Sequence, residues 1–456
     1  MELLKVDTID QAREKILKLA RPLFTRTQTV ELADAQHLIL AADIPAEDDV
    51  PGFIRSTVDG YATIAADTAG AGESIPVILA SQGAVEMGKP ASDGVPQGIV
   101  PGQCAYIPTG GMLPQGADSV VMVEHTECFG LAGIGVYSAV APGENVVGAA
   151  DDIQAGAILL RAGARLRAQE LGALAGAGVT QVPVFCAPSM AIISTGDEVI
   201  SPHAKPGPGQ IRDINSTAIR AQAQACGYQV TQAMVVPDIE EQLTQQVAAL
   251  MPQNDVVVIS GGSSQGEKDA TARIIETLAD KGVLTHGLAI KPGKPTITGF
   301  DAASQTLLVG LPGHPVSAMM VFEVLLAWLA VEATGGRQPL PISARMASNL
   351  ATAAGKDTLQ LVSLGMGDAS GATGAGGLPG AGAPGNPGVP GAPSGPGIPG
   401  APGSPTNQAA QLIATPIHTK SGLITKLVQA HGYLWIDRNT EGLRAGEQVA
   451  VHPFTM

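Results

Sequence analysis

The chain is poor in aromatic residues, which make up only 3% of its 456 positions. Its cores must therefore be filled mainly by Ala, Val, Leu and Ile, and a hydrophobic content of 45% is ample for that. It also lacks paired cysteines: Cys104, Cys128, Cys186 and Cys226 are far apart and form no CxxC. With eight scattered histidines and no HExxH, a zinc site built from protein ligands is not expected. The thiols read as buried and free, in a reducing compartment. Positive charge is scarce as well. A formal net charge of -15 excludes a broad nucleic-acid or anionic-membrane surface. An anion can then bind only where Lys, Arg and backbone N–H groups cluster locally. The longest apolar run, Met319 to Ala333, is too short to span a bilayer and contains Glu323. Met1 to Leu19 is polar and amphipathic, without the apolar stretch of a signal peptide. The expectation is a cytoplasmic protein with neither nucleic acid nor membrane as partner.

A chain of this length needs more than one core. In the first fifty residues Ile9, Ala12, Ile16 and Leu19 fall near a helical period, followed by a short strand region. From Val50 to about Val182 short β-like runs are broken by Gly and Pro, among them Ile75–Leu79, Cys104–Ile107, Ser119–Val123 and Ile158–Leu160. Residues 190–335 alternate. Strands are expected at Met190–Ser194, Val230–Val236, Val256–Ser260 and Leu307–Leu311, with helices near Thr217–Cys226, Ile239–Met251, Ala270–Leu278 and Pro315–Glu332. That alternation predicts a doubly wound, mostly parallel sheet. Residues 338–456 return to short strands, such as Tyr433–Ile436 and Gln448–Val451. Between Gly382 and Gly403 glycine recurs at every third position except Ser394, a collagen-like period. So short a run inside a globular chain reads as a disordered, polyproline-like loop.

Ligands of an open parallel sheet sit outside the carboxyl ends of its strands. Five unusual segments fall at expected ends: Ser194–Glu198, Pro237-Asp238, Ser260–Asp269, Ala289–Pro295 and Gly310–Ser317. The Gly261–Gly266 stretch has the composition of an anion cradle, whose small residues let backbone N–H groups face phosphate oxygens. It is not a P-loop, because no GK[ST] follows, nor a GxGxxG with an acidic partner downstream. Lys291 and Lys294, stiffened by prolines, offer point charges to an oxyanion. Asp197, Glu198, Asp238 and Asp269 offer carboxylates to Mg²⁺, which takes one or two of them plus substrate phosphates. Asp238 has a rival role as helix N-cap, with Glu241 at the reciprocal position. Asp269 has a similar rival role, and His314, between prolines, reads as a turn residue rather than a general base.

With these segments the sequence resembles the molybdopterin molybdenumtransferase family, the bacterial MoeA proteins and the E domain of gephyrin. The likeness extends to Arg55–Ala62, Pro108–Gly111, Gly116–Val121, Ser421–Ile424 and Glu441–Leu443. It implies a multidomain α/β plus β chain forming an elongated homodimer. In it, residues 1–50 with 150–180 form an elongated N-terminal domain and 51–149 a β-rich one. Residues 181–337 form the molybdopterin-binding domain, and 338–456 a barrel-like domain with a flexible insert at 365–408. The implied reaction inserts molybdate into adenylyl-molybdopterin and releases AMP, with Mg²⁺ as cofactor. The molybdenum-binding sulfurs belong to the pterin, so no cysteine cluster is required.

The resemblance places Glu198 and Asp269 at the metal, and Asp59, Thr109, Asp152, Asp238 and Asp269 in the catalytic set. Thr195, Gly196, Ser260, Gly261, Gly262, Ser264, Lys291, Lys294, Pro312, Pro315 and Ser317 become the substrate-binding set. Asp59, Thr109 and Asp152 would come from the β domain, across the dimer interface. The chain departs from the family at Gly148–Asp152, where a basic pair is missing, and at Gly287, where some relatives carry a basic residue. Two other readings remain: a related molybdopterin adenylyltransferase, and a pterin-binding scaffold without turnover that meets other cofactor-assembly proteins.

Overall fold

The computed structural model describes residues 6–261, 270–352, 355–367 and 411–454. The chain divides into two compact units, one of residues 27–185 and one of residues 1–26 with 186–456.

The second of these is built on a six-stranded sheet. Its order is Gln229–Val236, Ser189–Thr195, Val256–Ser260, Thr306–Leu311, Ile297–Asp301 and Val283–His286. The first four strands are parallel and the last two antiparallel. All five residues of Val256–Ser260 are buried, as its β-branched sequence requires of a strand covered on both faces. The antiparallel pair was not legible beforehand, because Gly and Pro crowd the ten residues between its strands.

Helices cover both faces. Ile9–Phe24, Asn215–Ala225 and the continuous helix Pro315–Ala333 share one core, around Ile192, Val258 and Val309. Glu240–Leu250 and Ala270–Leu278 close the other, around Ile193, Val257 and Ile259. The N-terminal helix is capped by Thr8 and Gln11, and buries Ile9, Ala12, Ile16, Ala20, Leu23 and Phe24 against the sheet. It therefore packs on the α/β core, although the sequence placed it with residues 150–180. Only the chain after it pairs that way.

The helix Pro315–Ala333 starts four residues before the expected apolar run. Its 19 residues are long and apolar enough to cross a membrane, but most of the helix is buried inside the unit, as in a core helix. A π-turn interrupts it over Glu323–Ala327. Buried Glu323 is met there by the Gln222 amide at 2.9 Å. Arg13 donates from Nε to the Val324 carbonyl at 2.9 Å. Its guanidinium lies 4.7 Å from the Trp328 ring and 5.0 Å from Trp435. Burial lowers the Arg13 pKa to about 10.

The C-terminal strands form a closed ring. Asp357–Gly367, Gln411–Pro416, Ile342–Met346, Gln448–Pro453 and Gly432–Ile436 pair in turn, and the last returns to the first. Val362, Ala414, Leu434 and Val451 fill it. Residues 365–367, expected in the flexible insert, continue a strand because Gln411–Ile413 satisfies their backbone. The collagen-like run lies outside the described residues.

In the unit of residues 27–185, Thr27–Glu31 pairs with Gln181–Phe185, and Ile44–Pro45 with Ile158–Leu160. Leu40, Leu166, Leu174, Val182 and Val184 form the core beneath them. A six-stranded sheet follows the order Ser119–Met122, Gly60–Thr63, Gln103–Ile107, Val77–Ala84, Ile134–Val136, Thr126–Cys128. The runs Cys104–Ile107, Ser119–Val123 and Ile158–Leu160 fall on these strands to within a residue, while Ile75–Leu79 starts two residues before the strand Val77–Ala84.

Candidate functional site

Strand Ser189–Thr195 is followed in sequence by a neighbour on one side, Gln229–Val236, and then by one on the other, Val256–Ser260. The strand order reverses there, so a crevice opens at their carboxyl ends. Thr195 is buried, and its hydroxyl donates to Asp238 Oδ1 at 3.4 Å. Gly196 has φ +154°, and a Cβ on it would lie 2.9 Å from Glu198 Oε2. Its bare backbone is what leaves room for the Glu198 carboxylate. Asp238 does not cap the following helix: that helix begins at Glu240, with Ile239 at the cap position and no side-chain cap. The carboxylate sits at the strand end, one residue before the cap position.

Gly261 is the tightest point. Its φ is +127°, and a Cβ there would sit 2.0 Å from the Thr195 carbonyl oxygen. A Cβ on Gly313 would lie 3.4 Å from Gly261 Cα. Thr195, Gly261 and Gly313, from three different strand ends, thus meet at one place. Asn215, the first residue of its helix, ties two of these ends. Its Nδ2 donates to Ser260 Oγ at 2.9 Å and to the Gly313 carbonyl at 2.8 Å, while Ser260 Oγ donates to the Pro312 carbonyl at 3.3 Å. Sequence reasoning missed Asn215. It also missed Asp213, which accepts from the Ser216 N–H at 3.1 Å and from its hydroxyl. The one available signal was two polar residues, Asp213 and Asn215, opening an apolar-faced helix. Gly262, Ser264 and Asp269 lie outside the described residues.

The lysine segment does not end a strand of the α/β sheet, contrary to expectation. Ile290-Lys291 pairs with Asp357-Thr358 of the barrel sheet. The segment still reaches the same edge, because Ile297, just beyond it, is in register with Gly310. Hydrogen bonds from Gly287 N to Thr296 O (2.7 Å) and Leu288 N to Lys294 O (2.9 Å) close the loop. Asp7 brackets it, donating to the Gly287 carbonyl and accepting from Ala289 N. Lys291 and Lys294 are exposed, with no ion-pair partner among the described residues. Gly287 has φ +94°, and a Cβ on it would lie 2.9 Å from Val6 Cγ1. A basic side chain at that position has no room here.

Pro315 opens its helix, where its missing N–H costs nothing. Ser317, two residues on, is buried. His314 Nδ1 lies 2.7 Å from Ser421 Oγ, and Val316 N donates to the Ser421 carbonyl, so His314 serves to fasten the turn. In the other unit Asp59 and Thr109 touch: Oδ1 of Asp59 accepts from the Thr109 N–H at 2.7 Å and its hydroxyl at 3.1 Å. Asp152 donates its N–H to the Val50 carbonyl, and no hydrogen bond among the described residues joins it to that pair. Asp151 closes the preceding turn on the Gly148 N–H at 2.6 Å, where the basic pair is missing. Among the described residues no three His, Cys, Asp or Glu side chains form a metal cluster. Asp197, Glu198 and Asp238 are described carboxylates following these strand ends, and hard oxygen donors of this kind suit Mg²⁺.

Comparison with known proteins gives a consistent result along the chain. Residues 7–178 match the MoeA N-terminal region (domain I and II), 191–331 a "Probable molybdopterin binding domain", and 401–454 the MoeA C-terminal region (domain IV). A molybdopterin molybdenumtransferase of Haemophilus influenzae is 31% identical over 76% of this chain and 84% of its own length. One from Bacillus subtilis is 33% identical over 67% and 71%. A crystal structure of a molybdopterin biosynthesis MoeA protein from Pyrococcus horikoshii, 31% identical, superposes with a TM-score of 0.71 over 99% of this chain and 100% of that one. The chain belongs to the molybdopterin molybdenumtransferase family, the MoeA proteins.

Proposed function

We propose that the chain inserts molybdate into adenylyl-molybdopterin, hydrolysing the pyrophosphate link and releasing AMP to give molybdenum cofactor. The observation that carries this reading is the convergence of Thr195, Gly261 and Gly313 at the strand-order reversal, with two exposed lysines, Lys291 and Lys294, on the same edge. The missing Cβ atoms let three strand ends close together at the rim of the crevice, and the lysines answer a phosphate or a tetrahedral oxyanion. Glu198 would hold Mg²⁺ together with substrate phosphates, and Asp269 would join it. Bound Mg²⁺ would neutralise charge developing on the phosphate oxygens. Asp238, kept clear of the helix cap, is available to orient water. The Asp59–Thr109 pair and Asp152 complete the proposed catalytic set. Homodimer formation, a cytoplasmic setting, contact with other cofactor-assembly proteins and the four-domain division belong to the same proposal.

The test uses the purified protein with adenylyl-molybdopterin, Mg²⁺ and molybdate, reading AMP release and pterin-bound molybdenum. Molybdate-dependent AMP release, lost in Asp269→Ala and Lys294→Ala, supports the reading. Tight pterin binding without AMP release sinks it, and leaves a scaffold.

A further inference from the structure

Two buried polar atoms at the crevice, Ser194 Oγ and Asn215 Oδ1, have no hydrogen-bond partner among the described residues. Ser194 is 2% exposed and Asn215 9%. They are close neighbours, because Ser194 is the register partner of Ser260, and Ser260 Oγ is 2.9 Å from Asn215 Nδ2. In a parallel ladder register partners project to the same face. Here it is the face that also carries Met190, Ile192, Val256 and Val258, against which helix Asn215–Ala225 packs. One amide thus has its donors fully used, on Ser260 and Gly313, while its acceptor stands idle beside an idle hydroxyl.

Buried polar groups are nearly always paired, and leaving one orphaned costs free energy. Neither orphan is needed for packing: alanine fits the volume of Ser194, and the clamp uses only Nδ2 of Asn215. We propose that Asn215 is a positioning residue for the pterin–nucleotide ligand, and that the ligand-bound state is the one in which Asn215 Oδ1 and the Ser194 hydroxyl become hydrogen-bonded. The clamp couples the end of Val256–Ser260 to the Gly313 turn. When a flat heteroaromatic ring with N–H donors settles on that turn, the clamp shifts with it and the orphans are satisfied. Pterin and adenine both have such donors. This rests on the function proposed above.

Ser194→Ala and Asn215→Ala are made in the full chain, and kcat, KM and thermal midpoint are measured with adenylyl-molybdopterin. Binding of AMP alone and of molybdopterin alone is followed by calorimetry. Ser194→Ala is the sharper variant, since it removes an orphan. Its free form is expected to melt no lower than wild type, while KM rises about tenfold with kcat kept, the worth of one hydrogen bond. Weakened AMP binding places the donor on adenine, and weakened molybdopterin binding places it on the pterin. A Ser194→Ala protein with KM and both affinities within twofold of wild type overturns the proposal, as does one whose free form loses stability in proportion. If wild type binds ligand but releases no AMP, the transferase reading fails while the calorimetric arms still decide this one.

Discussion

Replacing Gly261 by alanine probes the convergence on which the functional reading depends. An added Cβ would stand 2.0 Å from the Thr195 carbonyl oxygen and 2.9 Å from its carbon, against an ordinary contact of 3.4–4 Å. Both obstacles are backbone, so no side chain can swing aside. The position is also held at φ +127°, which L-residues rarely adopt. Strain of this kind costs about 1–3 kcal/mol. Overpacking adds about 1–3 kcal/mol more. Together they predict a loss of roughly 2–6 kcal/mol, which in a unit of this size lowers the thermal midpoint by roughly 5–20 °C. Gly313→Ala is the control: its Cβ meets only Gly261 Cα, at 3.4 Å, and its φ is not in the strained region. Calorimetry on both variants, followed by ligand titration, reads the difference. A Gly261→Ala protein as stable as Gly313→Ala, with unchanged ligand affinity, would refute the geometry described for the crevice.

Arg13→Met keeps the apolar stem but removes the charge between Trp328 and Trp435 and the bond to Val324, and is expected to cost about 1–3 kcal/mol. Chemical denaturation read by tryptophan fluorescence measures it; a loss below about 0.5 kcal/mol counts against the sandwich. The His452 pKa is lowered from 6.5 by burial, helped by the Arg13 charge. The unfolded chain therefore takes up that proton first as pH falls, so stability is full above 6.5 and declines from there towards the lowered folded value. His452→Gln should flatten this acid limb, and an unchanged slope would exclude His452 as its source. Burial pushes the Cys104 thiol up to about 12, whereas Cys128 is exposed. Near neutral pH a maleimide should label Cys128 at once and Cys104 only on unfolding, as mass spectrometry can show. Gly287→Lys, which adds the basic residue expected at this position in some relatives, should destabilise the chain through Val6, and a Val6→Ala partner should recover part of the loss in thermal melts.

The sequence was most readable where one force dominated. The β-branched run Val256–Ser260 could only be a doubly covered strand, and the four parallel strands and their helices fell within a residue or two of expectation. It was least readable where tertiary partners decided. Lys291 went to the barrel sheet because Asp357-Thr358 offered an open ladder, which no local pattern announces. The N-cap signature at Asp238 was outweighed when the chain turned one residue later. Thr195, Asp238, Ser260 and the lysines were legible as strand-end chemistry. Asn215 was not, since a helix-opening Asn looks like any other until Ser260 and Gly313 are brought against it.

The helix Ile9–Phe24 has a consequence for how the protein is made. Its apolar stripe is completed by Pro315–Ala333, nearly three hundred positions later in the chain. At a synthesis rate of roughly 5–20 residues per second, that stripe waits about 15–60 s for its partner. Throughout that interval the ribosome-bound chain carries an amphipathic segment whose last partner has not yet been made. A nascent-chain chaperone has that long to bind it.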